Sequence, residues 1–232
     1  PQWAGSSWYY LAYLLSDKRQ ATSDKFWDKK ILDYWLPVDL YVGGVEHAIL
    51  HLLYARFFTK VLFDLGHVKF QEPFTKLFNQ GMVCRKSEKT GKIEKMSKSK
   101  MNVVNPDELV KKYGTDTVRL FELFIGPPEQ DAEWSDQGIE GIAKFLRRAW
   151  TWALATHGGA SVVADPKIER ERHLLIQKVT ERLESFRFNV VISAFMEFMN
   201  EVSGISGGVT QDVLDDFLVL LAPFAPHMAE EL

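Results

Sequence analysis

The densest chemistry in this chain lies in Lys95-Met96-Ser97-Lys98-Ser99-Lys100. From Arg85 to Lys100 there are seven Lys/Arg and only two Glu. Most such runs are solvated faces. Here, however, Met96 puts a large apolar side chain where a purely solvating loop has no use for one. Asn105-Pro106-Asp107-Glu108 follows at once as a strong helix start, so the loop is tethered. A short tethered loop rich in ammonium groups suits a polyphosphate, because each lysine is a compact charge on a flexible stem.

A second candidate is the pair His47 and His51, spaced i and i+4 on a helix expected from Glu46 to Leu65 and closed by Gly66. Arg56, Thr59, Lys60 and Asp64 would form its polar face, and both imidazoles fall opposite, among Ile, Leu and Phe. Inward imidazoles need partners. They read equally as satisfied core histidines or as a site-facing pair. A two-histidine metal site is weaker, lacking a third ligand and the His-Glu-x-x-His order.

The elements around these residues set their geometry. Ser6 or Ser7 can cap a helix from Trp8 to Leu15. Residues 16–36 read as polar and irregular, with a short helix near Phe26-Trp27. Val38–Val42 reads as a buried strand and Gly43-Gly44 as a turn. Lys76–Cys84 reads as a second strand, centred on Gly81-Met82-Val83-Cys84. Strand, helix, strand is a βαβ unit, and ligands sit beyond the carboxyl ends of its strands. The Gly43–His47 turn follows the first strand and the lysine loop the second, so both are expected to open on one edge.

Downstream, Asn105 caps a helix that ends at Gly114, and a second runs from Thr115 to Ile125 until Gly126-Pro127-Pro128. From Ser135 onward only helices are expected. They cover about 136–157, stopped by Gly158-Gly159; 166–186; 190–203, capped by Asn189; 211–222; and a fifth from Pro226. Their apolar stripes read as bundle core. The fold class is therefore α/β plus all-α, mostly helical.

Composition limits the partners. The 232 residues are 46% hydrophobic and 25% charged with net charge −3, an ordinary soluble globular balance. Any RNA contact must be local. No apolar run reaches membrane-span length, and no signal peptide is visible. The single cysteine, Cys84, excludes an internal disulfide and argues against a cysteine zinc site. The chain starts without Met and stops inside an apparent helix, so an excised piece is expected.

Residues 95–99 match, letter for letter, the lysine-loop signature of class I aminoacyl-tRNA synthetases. The chain resembles the leucyl branch of that family through Gly5–Tyr10, Gly43–Ala48, His51–Tyr54, Gly114–Phe121 and Pro226–Leu232. The resemblance implies the second half of a Rossmann-like catalytic domain at 1–100, a helical stem-contact connector at 101–134 and a tRNA-binding, anticodon-type antiparallel bundle at 135–232. It implies activation of leucine by Mg-ATP and transfer to tRNA-Leu. Lys95, Met96, Ser97, Lys98 and Ser99 would form the catalytic loop, with Lys98 and Lys95 neutralising the leaving pyrophosphate. Gly43, Gly44, Glu46, His47, Met82 and Val83 would meet the nucleotide, the last two through main-chain groups. Ser7, Tyr10, Tyr41, His47 and His51 would line the leucine pocket. Arg147, Arg148, Arg170 and Arg172 are candidates for tRNA.

The family's His-x-Gly-His motif, editing domain and C-terminal domain are missing here. The chain alone is therefore expected to be inactive, and its loop, without phosphate, loosely held. The longer enzyme would be cytoplasmic and monomeric, with no protein-bound metal in this part. A Val-, Ile- or Met-type synthetase and a non-catalytic tRNA-binding module are the alternatives. The Gly-Gly-x-Glu-His-Ala-x-x-His string favours the leucyl reading.

Overall fold

A computed structural model describes residues 3–14, 28–156, 164–203 and 209–232. The helix expected near Phe26-Trp27 and the Gly158-Gly159 stop lie outside them. The chain divides into two compact units, Pro1–Gly81 and Met82–Leu232.

The first unit contains α1 (Tyr9–Ala12), α2 (Lys29–Trp35), β1 (Val38–Gly44), α3 (His51–Asp64) and β2 (Phe74–Gln80). Helix α2 occupies part of a stretch expected to be irregular. Asp28 caps it, its carboxylate accepting from the Lys30 N–H at 2.8 Å. Leu32 and Leu36 then drop into a core shared with Tyr10, Leu11, Ala55 and Val68. Strands β1 and β2 pair in parallel, from Val38 opposite Phe74 to Gly44 opposite Gln80. With α3 between them they form the expected βαβ unit. Gly43 and Gly44 end the strand rather than forming the turn. The turn is a single 3-10 stretch, Val45–His47.

The buried line of α3 is His51, Ala55 and Thr59. Thr59 was expected on the polar face, yet it is 1% exposed. Its hydroxyl donates to the Ala55 carbonyl at 2.9 Å and meets the Tyr10 hydroxyl at 3.2 Å, so burial leaves no polar atom unpaired.

The second unit opens with a small sheet ordered β4-β3-β5, from β3 (Val83–Lys86), β4 (Ile93–Lys95) and β5 (Ala132–Glu133). Strands β3 and β4 form an antiparallel hairpin, and β5 pairs parallel with β3. The strand expected at Lys76–Cys84 is thus two strands in two sheets. Gly81 offers no side chain to continue the first. The Met82 N–H donates to Asp131 at 2.7 Å and its carbonyl accepts from Ala132 at 2.9 Å, drawing the chain into the second sheet.

Helices follow: α4 (Pro106–Tyr113), α5 (Thr115–Phe124), α6 (Asp136–Thr156), α7 (Pro166–Glu184), α8 (Phe188–Val202), α9 (Gln211–Leu221) and α10 (Pro226–Glu231). Asn105 and Asp165 cap α4 and α7, each ahead of a proline whose missing N–H would have been an orphan there. Helix α8 begins before Asn189, which does not cap it. Phe195, Phe198 and Phe217 centre the core, with Trp152 edge-on to Phe217 at 5.2 Å. Phe121 lies flush on α6 at Gly138, where a Cβ would come within 2.6 Å of the ring. That contact explains a glycine inside a helix, a choice costing about 0.5–1 kcal/mol relative to alanine. Among the described residues no helix is long and apolar enough to cross a membrane.

One long-range link joins α5 to α10. Buried Asp116 accepts from the Met228 N–H at 2.8 Å and bonds His227 Nδ1 at 2.7 Å, so it caps α10 from the other end of the unit. Asp116→Ala strands that N–H. Unfolding free energy is expected to fall by about 1–3 kcal/mol. Urea denaturation reads this directly, and an unshifted midpoint would remove the cap from the account.

Candidate functional site

The first unit holds a cavity of about 330 Å³, lined among others by Trp3, Ser6, Tyr9, Tyr41, Gly43, Gly44, His47 and His51. That volume is at the low end for small-molecule sites. It opens at the carboxyl end of β1, where a parallel strand pair delivers its ligand.

Its polar wall is one directed hydrogen-bond relay. The Ser6 hydroxyl donates to the Trp3 carbonyl at 3.0 Å. A hydroxyl has one proton, so toward His51 Nδ1, at 3.3 Å, Ser6 must accept. Nδ1 therefore carries the imidazole proton and Nε2 accepts. Tyr41 donates to Nε2 at 2.5 Å, and its own oxygen takes the proton of Tyr9, also at 2.5 Å. The relay ends on a Tyr9 oxygen with lone pairs to spare. Tyr41 is fixed by stacking on Phe74, with centroids 3.7 Å apart and planes 6° apart.

Protonation agrees with this direction. Burial, then His47, pushes the His51 imidazole below its ordinary value, favouring the neutral ring. Burial, then the Tyr9 hydroxyl, pushes Tyr41 well up, so it stays a donor. Two buried polar atoms at the cavity have no partner, His47 Nδ1 and Asn79 Oδ1. Buried orphans of this kind ask for a ligand or water.

The structure brings Tyr41, His47 and His51 together but not Ser7 and Tyr10. Ser7 is fully buried, donating to the Trp3 carbonyl at 2.8 Å, and Tyr10 points into the core toward Thr59. Ser6 and Tyr9 take those places. In the helical turns leading into α1, one residue rotates a side chain by about 100°. The spacing Trp3, Ser6, Tyr9 is the signal that sequence reading missed. Gly43 and Gly44 line the cavity. A Cβ on Gly44 would meet the carboxylate of Glu46, 2.8 Å from its Cδ, so bare backbone is what seats Glu46 there.

The lysine loop belongs to the second unit. It leaves β4 at Lys95, passes a 3-10 turn at Lys98–Lys100 and turns left-handed at Met101, φ 54°. Lys100 is paired with Glu94, and that bond, with one from Thr90, holds the Glu94 carboxyl below its ordinary value. Lys98 is exposed and makes no ion pair among the described residues. The Ser97 and Ser99 hydroxyls bond each other at 2.8 Å. Met96 is half-buried. The expected loose loop is instead tied down by side-chain bonds from Ser87 and Asn102. The Met82 N–H, expected at a nucleotide edge, is already engaged by Asp131.

Of the bundle arginines, Arg172 is committed to Asp216 at 2.6 Å and Glu169 at 3.2 Å. Arg170 is exposed on α7. Arg147 lines a cleft of about 310 Å³ with Lys112, Tyr113 and Trp150. Arg148 lines another of about 290 Å³ with Lys144 and Phe145. Lys144, Arg147 and Arg148 make an exposed basic ridge on α6 with no acidic partner among the described residues. Nor do the described residues hold a cluster of three potential metal ligands.

Residues 20–135 match the family described as tRNA synthetases class I (I, L, M and V), and 165–232 match the anticodon-binding domain of tRNA ligase. The chain is 45% identical to leucine–tRNA ligase of Pseudothermotoga lettingae over 98% of its own length and 29% of that protein. The leucine–tRNA ligase of Thermosipho melanesiensis gives the same figures. The chain thus spans under a third of the curated relatives it matches. Among solved structures, a LeuRS–tRNA–LeuAMS ternary complex from Agrobacterium radiobacter is similar at TM-score 0.78 and 37% identity, covering 97% of this chain and 30% of that one. Mycobacterium tuberculosis methionyl-tRNA synthetase with methionyl-adenylate shares the fold at TM-score 0.67 and 18% identity, covering 99% and 48%.

Proposed function

This chain belongs to the class I tRNA synthetases, and from that premise we propose that it is part of a leucine–tRNA ligase, which joins leucine to ATP as an adenylate and passes the leucyl group to tRNA-Leu. The observation that carries this reading is the cavity at the end of β1, with its directed relay and its two orphaned polar atoms. Relatives 45% identical along almost the whole chain supply the amino acid.

The Tyr9 oxygen, left as an acceptor by the relay, receives the ammonium of the amino acid. Tyr41, His47 and His51 hold that end of the substrate. Glu46, seated over Gly44, accepts from ribose hydroxyls, and the bare strand end at Gly43-Gly44 lets the adenosine approach. Val83 and the second lone pair of the Met82 carbonyl remain for an adenine edge. Lys98, with Lys95, meets the phosphates, while Ser97 and Ser99 shape the turn between them. Mg²⁺ enters with ATP as part of the substrate. No covalent protein intermediate is needed, since positioning and charge stabilisation supply the rate. Functionally the chain divides into a catalytic part at 1–100, a stem-contact connector at 101–134 and a tRNA-binding bundle at 135–232. The test is ATP–pyrophosphate exchange by the longer protein containing this chain. Exchange should depend on leucine, and equal stimulation by valine, isoleucine or methionine would overturn the assignment.

For tRNA, the α6 ridge of Arg147 and Arg148, joined by Lys144, is the favoured contact, and the exposed Arg170 on α7 is a further candidate. Arg172 is occupied by its own carboxylates. Contacts of this kind go mainly to phosphates, so log affinity should fall linearly with log salt. Arg147→Ala should reduce that slope by about one unit. A tRNA-Leu titration at several salt concentrations checks this, and a slope unaltered by the substitution would take Arg147 out of the interface.

A further inference from the structure

We propose that Asn102 and Ser87 are positioning residues for Lys98, a buried two-point clamp that fixes the backbone of the lysine loop. The inference rests on the reading of Lys98 as the phosphate-facing group. It begins from an oddity of burial. The loop is lysine-rich and its tip is open to solvent, yet Asn102 and Ser87 beneath it are only 2% and 1% exposed.

Every bond of the Asn102 carboxamide ends on main chain of the loop or of the hairpin that carries it. Its Oδ1 accepts from the Ser97 N–H at 2.8 Å. Its Nδ2 donates to the Arg85 carbonyl at 3.0 Å and the Glu94 carbonyl at 3.1 Å, with the Lys95 carbonyl further off at 3.4 Å. An amide has two N–H groups, so the first two carbonyls satisfy it. The partners also fix its orientation, because an N–H can only face Oδ1 and carbonyls can only face Nδ2. Asn102 therefore ties Ser97, one residue before Lys98, to both strands of the β3–β4 hairpin.

Ser87 secures the other side. Its hydroxyl donates to the Lys100 carbonyl at 2.8 Å and accepts from the Thr90 N–H at 3.2 Å. Lys98 thus lies between two held points, Ser97 and Lys100. Lys100 is held a second time through its ammonium on Glu94, which makes it a buttress and not a phosphate ligand. Left-handed Met101 joins Lys100 to Asn102, a conformation a side chain adopts only when its surroundings impose it. With both anchors in place, Lys98 has only its own side-chain torsions left to set. That is the pre-organisation a charge stabiliser needs when the leaving phosphate develops its charge.

The experiment uses the longer enzyme that contains this chain. Asn102→Ala, Asn102→Asp and Ser87→Ala are compared with Lys98→Ala in leucine-dependent ATP–pyrophosphate exchange and in limited trypsin digestion. Asn102→Ala is expected to lower kcat by about 10²-fold, the scale of a small misplacement of a catalytic group, with little change in the KM for ATP. Trypsin should then cut after the loop lysines faster while the rest of the chain resists. Asn102→Asp keeps the volume but turns an oxygen toward two carbonyls, so it should be no better. Ser87→Ala should shift the same readouts less far, and it decides the matter if the Asn102 variants do not fold. An Asn102→Asp enzyme that behaves as wild type, a folded Asn102→Ala enzyme with unchanged kcat, or a rise in KM alone overturns the clamp. If Lys98→Ala itself leaves exchange unchanged, the assignment of the loop fails first and the clamp with it.

Discussion

Lys98→Ala in the longer enzyme is expected to slow leucine-dependent ATP–pyrophosphate exchange by about 10²–10³-fold, the scale for removing one transition-state charge stabiliser. The affinity for ATP should change far less. The reason lies in how the loop spends its charges. Lys100 is committed to Glu94, whereas Lys98 is exposed and makes no ion pair among the described residues. An ammonium without a protein partner gains most when charge builds on a departing pyrophosphate, and little from the ground state. Loss of kcat with an unchanged KM is the signature to look for. A pyrophosphate-exchange rate equal to wild type would remove Lys98 from the chemistry.

Tyr41→Phe is expected to be the most damaging conservative change in the cavity. The hydroxyl that disappears both donates to His51 and accepts from Tyr9. Its loss leaves the buried His51 imidazole nitrogen without its donor, a cost of about 1–3 kcal/mol, or about five- to 150-fold in kcat/KM for leucine. Lys98→Ala should leave the leucine KM nearly alone, so the two variants separate the amino-acid end from the phosphate end.

The same relay gives a pH dependence. His51 is held below its ordinary value of about 6.5, so the unfolded chain binds this proton more tightly than the folded one. Above about pH 6.5 neither state carries the proton and His51 contributes no pH dependence. As pH falls below that value, the unfolded state takes up a proton that the folded state declines, and stability is lost. A proton on Nε2 would also turn an acceptor into a donor facing the Tyr41 hydroxyl. His51→Gln, which cannot titrate, should show a shallower acid loss of stability in urea denaturation. An identical acid slope in both proteins would place the titrating group elsewhere.

The sequence by itself determined the local decisions. Asn105-Pro106 and Asp165-Pro166 start helices because a side-chain acceptor followed by a missing N–H solves the orphan-donor problem within a few residues. The βαβ unit and the helical half were legible because periodicity is a local property. Lys95–Lys100, His47 and His51 stood out by residue type and spacing, and Tyr41 only through the family resemblance. What sequence could not settle were matters of phase and partner. Ser6 and Tyr9, not Ser7 and Tyr10, face the cavity, because one residue of helical rotation separates neighbours that look alike in sequence. Residues 76–84 form two strands in two sheets because Asp131 and Ala132, some fifty residues away in the chain, capture Met82. Thr59 is buried because Tyr10 arrives over it, and Arg172 is no free cation because α9 brings Asp216 to it. Asn102 drew no notice as a letter following the lysine loop. Only the closing of the β3–β4 hairpin around it turns its carboxamide into the bond that holds that loop, because each of its partners comes from a different stretch of backbone.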